Sequence, residues 1–276
     1  MKRTLIAVLF ATFTVYGCSD DGNGGGGSGG TAGTGGTAGT GGTGGTGGTG
    51  GTGGAAGTGG TAGTGGTGGT AGEVVYAQDF ESLDKDSLTA LGDDDWKVYG
   101  NVFSGVDGSY IVGYGPFPAP NNPAAPAFSL IDAGQGGATQ GLQQLVIISD
   151  YQNQTEMLAG NLVEANTFQE GTVAESDVGK TLTFSFDAKR GNINDPAGSS
   201  TAIAFVKTFD PADPGTLTNF ETLDTTDLPV EWMRYEISLV IDAGLVGQTL
   251  QFGFAATATE NEPSGVFYDN ILVDLQ

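Results

Sequence analysis

Histidine is absent from this 276-residue sequence, and cysteine occurs only once, at Cys18. The lack of histidine excludes Ser-His-Asp and Cys-His catalysis, zinc sites built on imidazole, and imidazole pH switches. A single cysteine excludes an internal disulfide and a metal cluster held by thiolates. Any catalysis would therefore depend on a pair of carboxylates, as in glycoside hydrolysis.

Basic residues are scarce as well. Nine lysines and arginines stand against 32 aspartates and glutamates, which gives a formal net charge of −23. Such a surface repels a phosphate backbone, so no nucleic acid is expected as a partner. The charge suits high solubility, divalent cations or saline surroundings, and its simplest interpretation is a solvated acidic surface.

The one apolar run near the N-terminus is short. Two basic residues precede residues 5–15, a stretch too short for a permanent transmembrane helix, and this pattern predicts a secretory signal. Its end, V-Y-G-C, resembles the lipobox of bacterial lipoproteins, which implies cleavage after residue 17 and acyl chains on Cys18. A plain signal peptide with an incidental cysteine is the alternative. Because Ser19 rather than Asp follows the cysteine, the resemblance implies sorting to the outer membrane or cell surface rather than the inner membrane.

Glycine is concentrated in one segment. Residues 19–72 are almost wholly Gly, Thr and Ala in imperfect GTGG and GTAG repeats. They cannot bury a core, so we predict a disordered linker, with an r.m.s. span of roughly 40 Å for a Gly-rich coil of this length. The sequence thus divides into a lipoprotein signal peptide (1–17), a lipidated cysteine with its linker (18–72) and one folded domain (73–276). The membrane is expected to be contacted through the anchor only.

The domain reads as short strands. Residues 181–188, 232–241 and 249–258 alternate apolar and polar side chains, which is typical of antiparallel strands with one buried face. No long amphipathic helix is present in the pattern, although short helical turns fit near 84–91 and 154–158. The sequence predicts an all-β fold, an antiparallel jelly-roll β-sandwich after the disordered Gly/Thr linker. The other candidate strands are 74–80, 96–103, 109–113, 126–131, 142–148, 166–173, 201–209 and 266–273.

Two short motifs lie at the ends of the domain. The opening D-F-E of residues 79–81 and the closing F-Y-D-N-I of residues 267–271 resemble the first and last strands of carbohydrate-binding modules with the galactose-binding-like jelly roll. The resemblance implies that these strands are neighbours and that a structural Ca²⁺ joins them. It carries the metal-ligand role onto Glu81 and Asp269, with Asp79 as a weaker third; plain edge carboxylates are the alternative.

Sugar recognition needs flat aromatic faces together with amide or acid groups, and loops commonly supply them on a sandwich. Two segments that read as loops, 113–123 and 149–153, contain both kinds of group. For each residue, ordinary packing is the alternative. The predicted ligand-binding residues are Tyr114, Phe117, Asn121, Asn122, Tyr151 and Asn153.

These observations predict a surface-anchored, non-catalytic carbohydrate-binding lipoprotein whose partner is a glycan or polysaccharide. An adhesion or envelope-scaffold module with a protein partner is the first alternative. A carboxylate-dependent polysaccharide lyase or hydrolase is the second. Catalysis is not expected, because no tight acid motif occurs on any candidate strand.

Overall fold

Alternating side chains produce strands throughout the described residues, which are 73–193, 200–259 and 262–276 of this computed structural model. The predicted signal peptide, Cys18 and the linker lie outside them. None of the described helices has the length and apolar character needed to cross a membrane. The strands are β1 (Glu73–Gln78), β2 (Lys97–Phe103), β3 (Tyr110–Pro118), β4 (Ser129–Ala133), β5 (Gln143–Ile147), β6 (Leu162–Thr172), β7 (Thr181–Arg190), β8 (Thr201–Phe209), β9 (Leu217–Asp224), β10 (Met233–Val240), β11 (Thr249–Ala258) and β12 (Val266–Leu275). The helices are α1 (Ala90–Asp93) and α2 (Gln154–Leu158), with 3-10 turns at Glu175–Asp177 and Ala243–Leu245.

The strands form two antiparallel sheets. The back sheet has the order β10-β7-β12-β5-β4, with β1 also paired to β12, and the front sheet has the order β3-β2-β6-β11-β8-β9. Strand β1 runs antiparallel to β12, so the first and last strands are neighbours, as the resemblance implied. The predicted antiparallel jelly-roll β-sandwich is confirmed.

Aromatic side chains fill the space between the sheets. The inward faces of β7 and β11 supply Phe184, Phe186 and Phe254, and the Phe254 ring stacks on that of Tyr268 with centroids 3.7 Å apart. Trp96 is fully buried and stacks on Phe254 from the start of β2. Burial of each such side chain stabilises the fold by about 1.5–3 kcal/mol, so this cluster holds the two sheets together.

Two segments depart from the predicted pattern. The prediction ended one strand at residue 113 and read 113–123 as a loop, but β3 continues to Pro118. Prolines are tolerated there because β3 lies at the edge of the front sheet, where a missing N–H breaks no ladder on its open side. Strand β9 was not predicted. It is also an edge strand, and apolar and polar side chains alternate only weakly in its polar, threonine-containing sequence.

Strand β11 presents large and small side chains on opposite faces. Leu250, Phe252 and Phe254 enter the core, whereas Gly253 and Ala255 lie on the outer face of the front sheet. A Cβ added at Gly253 would overlap the carbonyl oxygen of Thr167 and lie 2.7 Å from the Cα of Phe168. Only glycine therefore lets β6 and β11 approach this closely.

We expect Gly253→Ala to lower the free energy of unfolding by about 1–3 kcal/mol, because the backbone of β6 must shift to make room for the new methyl group. Urea unfolding of the full chain measures this as a lower midpoint at an unchanged slope. Gly171→Ala is the matched control, since nothing lies within 4 Å of a Cβ at that position of the same strand pair. Equal midpoints for the two variants would contradict the packing argument.

Candidate functional site

The outer face of the front sheet carries a second group of apolar residues, separate from the core. Phe168 of β6, Phe205 of β8 and Ala255 of β11 form a cluster of their own, and Tyr99 and Ile203 pack against it. The register explains why they meet: Gly253 is paired with Phe168 on one side and with Phe205 on the other. We call the strip of this outer face along Gly253 and Ala255 of β11, with Phe168 and Phe205 as its buried floor, the front trough.

A lysine lies over the two phenylalanines of the front trough. The Nζ of Lys207 is 4.7 Å from the ring centroid of Phe205 and 5.7 Å from that of Phe168. These rings belong to the strands on either side of β11, so the lysine head is held above the middle of the trough. Both rings are buried, and they form its floor rather than its upper surface. At the rim, Phe220 of β9 faces Lys207 in the register and is 37% exposed.

Acid and amide groups line one long side of the front trough. Asn101 and Asn166 each donate to Glu164 Oε1 at 2.8 Å. These groups come from the neighbouring strands β2 and β6, and each already has a partner. The arrangement presents a protein carboxylate and amide oxygens to a ligand in fixed positions, next to an apolar floor.

A second acid lies at the far end of β6. Lys97 contacts Glu170 Oε1 at 2.5 Å, and Gln251 donates to Glu170 Oε2 at 2.9 Å. Lys207, by contrast, makes no ion pair of 4 Å or less with any described residue. Burial lowers the pKa of Lys207 to about 8, and the nearby Glu164 and Glu170 partly oppose that shift.

The structure places the predicted sugar-binding residues elsewhere, at the end of the sandwich near β3 and α2. Tyr114 lies on β3 rather than on a loop, packs against Phe128 and donates to Asp150 Oδ2 at 2.7 Å. Burial raises the pKa of Tyr114, and the bonded Asp150 raises it further. Asn153 donates to the same hydroxyl at 3.4 Å. Phe117, at 54% exposure, is the aromatic of this set that is open to solvent.

The other three predicted residues have structural partners. Asn121 is fully buried and donates to the carbonyls of Lys85 and Ser87 while accepting from the N–H of Ile131, so its amide is not available to a ligand. Asn122 accepts from two backbone N–H groups of the turn that follows it. Tyr151 donates to the carbonyl of Glu262, and it lines a shallow depression near Ala125.

The predicted metal ligands lie where β1 ends beside β12. Asp269 is 1% exposed; its Oδ1 accepts from the N–H of Asn270, and its Oδ2 has no partner among the described residues. Burial, together with the carboxylates of Asp187, Asp79 and Glu81, raises the pKa of Asp269 to about 7. These acids thus point toward one region.

The three predicted ligands do not form a complete cage. Glu81 uses Oε1 to accept from the N–H groups of Leu142 and Gln143, and Asp79 accepts from the N–H of Glu81. Across the described ranges, no group of three or more acidic side chains could by itself hold a metal ion. Ca²⁺ binds six to eight oxygens, so backbone carbonyls or water would have to complete the site.

No protein-family model matches the sequence, and no curated protein matches it. Among solved structures, a xylan-binding CBM22 domain of Paenibacillus barcinonensis Xyn10C is similar at 11% identity and a TM-score of 0.37, over 75% of this chain and 97% of that one. A cyclase from Fischerella sp. TAU is similar at 14% identity and a TM-score of 0.44, over 75% of this chain and 98% of that one. The active domain of tailspike protein 4 from bacteriophage CBA120 is similar at 11% identity and 0.39, over 71% of this chain but only 21% of its own length.

Proposed function

We propose that this protein binds polysaccharide through the front trough without turning it over, and that it does so at a cell surface. The observation that supports this most directly is that two flanking aromatic side chains, Tyr99 and Phe220, and fixed acid and amide groups lie on one outer sheet face. The proposal rests on this face and not on the names of similar structures.

The chemistry of the front trough suits a sugar chain. A sugar ring has apolar C–H faces that pack on aromatic rings, and hydroxyls that need donors and acceptors at its edge. Tyr99 and Phe220 flank the trough on opposite sides, and Glu164 lies on β6 two residues from Asn166, the partner of Tyr99 in the register. Six strands at about 4.8 Å spacing make the face roughly 24 Å wide, which gives room for several consecutive sugar rings.

The positions of two acid pairs support binding without turnover. Glu164 and Glu170 are six residues apart on β6, or about 20 Å along the strand. Glycosidases need two carboxyl groups at roughly 5–9.5 Å across a cleft. Asp187 and Asp269 are paired across β7 and β12, but Asp187 is engaged by Arg234 and Asp269 is buried. Neither pair therefore faces an open cleft at a suitable spacing.

The anchoring part of the proposal rests on the sequence. Cys18 would hold the protein to the outer membrane or cell surface, and the linker would carry the domain away from the lipid. We expect labelled palmitate to be incorporated into the full chain and lost in Cys18→Ser. Unchanged labelling of that variant would contradict the anchor.

We expect the full chain to be retained by at least one member of a panel of soluble polysaccharides in affinity electrophoresis. The paired variants Tyr99→Ala and Phe220→Ala should together weaken binding about tenfold, because they remove the flanking aromatic surfaces. Urea unfolding checks that the double variant remains folded.

Phe117→Ala with Asn122→Ala is the matched control at the predicted loop site, and we expect it to bind normally. Loss of binding in this control, with the trough variants unaffected, would move the site to the loops. Capture of an envelope protein without binding to any polysaccharide would favour the adhesion alternative. Release of sugar fragments would establish an enzyme.

A structural Ca²⁺ at Asp269 is a further part of the proposal. The unpartnered Oδ2 of this buried carboxylate, close to Asp187, Asp79 and Glu81, needs a cation or a proton to offset its charge. Asp269 and Glu81 would hold the ion from the two neighbouring terminal strands, with Asp79 as the third acid. The ion would neutralise this cluster and fasten β1 to β12.

We expect Ca²⁺ in excess over EDTA to raise the melting temperature. At a hundredfold excess over Kd the gain is about 2.7 kcal/mol, or roughly 5–10 °C for a domain of this size. Asp269→Asn should abolish the gain, yet be at least as stable as the wild type in EDTA, since it removes a buried charge. Asp274→Asn on the same strand is the control and should keep the gain. A melting temperature that is the same in Ca²⁺ and in EDTA would contradict the site.

A further inference from the structure

Lys207 is a cation without a carboxylate partner in a strongly acidic domain. Among the described residues no acid lies within 4 Å of its Nζ, although the chain has 32 acids and nine basic residues. Lys189 on the back sheet provides a comparison. It also lies over two aromatic rings, but its Nζ donates to the carbonyl of Gln135 at 2.7 Å. The ammonium of Lys207 therefore has donor capacity left for a ligand.

The acids closest to Lys207 are already engaged. In the register, Gln251 of β11 lies between Glu170 of β6 and Lys207 of β8. The Glu170 carboxylate forms an ion pair with Lys97 and accepts a hydrogen bond from Gln251. Glu164 accepts from two asparagines. Both carboxylates thus already accept from amides or a second lysine, whereas the ammonium of Lys207 has no ion-pair partner among the described residues.

We infer that the front trough selects a sugar chain bearing an isolated carboxylate, a uronic acid residue, which pairs with the ammonium of Lys207. This inference rests on the proposed polysaccharide binding. The carboxylate would take the place above the phenylalanine floor, where a charge-assisted hydrogen bond in a partly desolvated site is stronger than one on an open surface. The neighbouring sugar rings would pack on the flanking aromatic residues.

The charge of the whole domain limits the ligand to sparse carboxylates. A net charge of −23 repels a densely charged polyanion, whereas a neutral backbone with occasional acidic branches meets little of that repulsion. One lysine can neutralise one carboxylate. The trough is therefore suited to a chain with isolated uronates and unsuited to a polyuronate.

The protonation state of Lys207 adds a second readout. The charged groups around it are Glu164 and Glu170 of β6 and Lys97 of β2. Because burial lowers its pKa to about 8, the lysine is mainly cationic at pH 7 and mainly neutral above pH 9. Uronates stay ionised over that range, so the carboxylate-dependent part of binding should disappear as the pH rises through about 8 to 9.

The test uses the full chain with glucuronoxylan, gellan and xanthan, each paired with its carboxyl-reduced form, and with polygalacturonate as the dense polyanion. At pH 7 we expect at least one acidic form to bind about tenfold or more tightly than its reduced counterpart. Polygalacturonate should bind more weakly than that acidic form. Lys207→Met should remove the preference and Lys207→Arg should retain it. Lys180→Met, a charge-matched variant beside Glu73 and Asp177, should behave as the wild type.

The possible outcomes separate the inference about Lys207 from the proposed polysaccharide binding. Equal binding of acidic and reduced forms, or a preference that survives in Lys207→Met, overturns the inference while polysaccharide binding stands. Binding only to neutral polysaccharides from the wider panel does the same. Binding to polygalacturonate as tight as that to sparse uronates overturns the argument from net charge. Failure to bind any polysaccharide removes the proposed function itself.

Discussion

Strand β11 has to satisfy two opposite demands, and the rest of the domain depends on how it does so. On its inner face Phe252 and Phe254 contact the aromatic residues of the back sheet, which joins the two layers. On its outer face position 253 must be glycine, because β6 approaches too closely there for a Cβ. The same strand therefore completes the core with its inner face and forms the middle of the front trough with its outer face.

This constraint explains why two aromatic rings can form the floor of the front trough. In most antiparallel sheets the residues on the face away from the core are polar. Here Phe168 and Phe205 flank a glycine on that face, so they can pack together over it and accept a lysine above them. Both rings are almost fully buried, so they form a small second core on this face, and the flanking Tyr99 and Phe220 supply the aromatic surface of the proposed site.

The sequence predicted the two-layer fold, but nothing in it indicated the front trough. Strands β8 and β11 were delimited correctly, and in β11 the reason is alternation over ten residues, which is a strong signal. The same alternation also places Phe168, Phe205 and Lys207 on the outer face, but which strands lie side by side depends on long-range pairing that no local pattern specifies. The trough could therefore not be recognised from one strand at a time.

The nominated loop residues show the converse difficulty. Tyr114 and Asn121 have the composition of a sugar site, yet Tyr114 is on an edge strand with its hydroxyl on Asp150, and Asn121 holds three backbone groups in place. Prolines near them suggested a loop because proline usually ends a strand. A buried amide and an exposed one look alike in sequence, and only burial separates a structural role from a binding one.

The distribution of charge connects the two faces of the molecule. On the back sheet, Asp187 and Asp269 lie opposite each other; the side chains of Arg234, Gln140 and Asn270 bind Asp187, whereas Asp269 accepts only from the backbone N–H of Asn270 among the described residues. On the front sheet the converse holds, since the acids are satisfied and a cation is left over. Among the described residues, Asp269 and Lys207 thus each have a side-chain charge without an ion-pair partner. Because burial of such a charge is unfavourable, a proton or a cation would stabilise the first position and an anion the second, which is the physical basis of the two ligands proposed above.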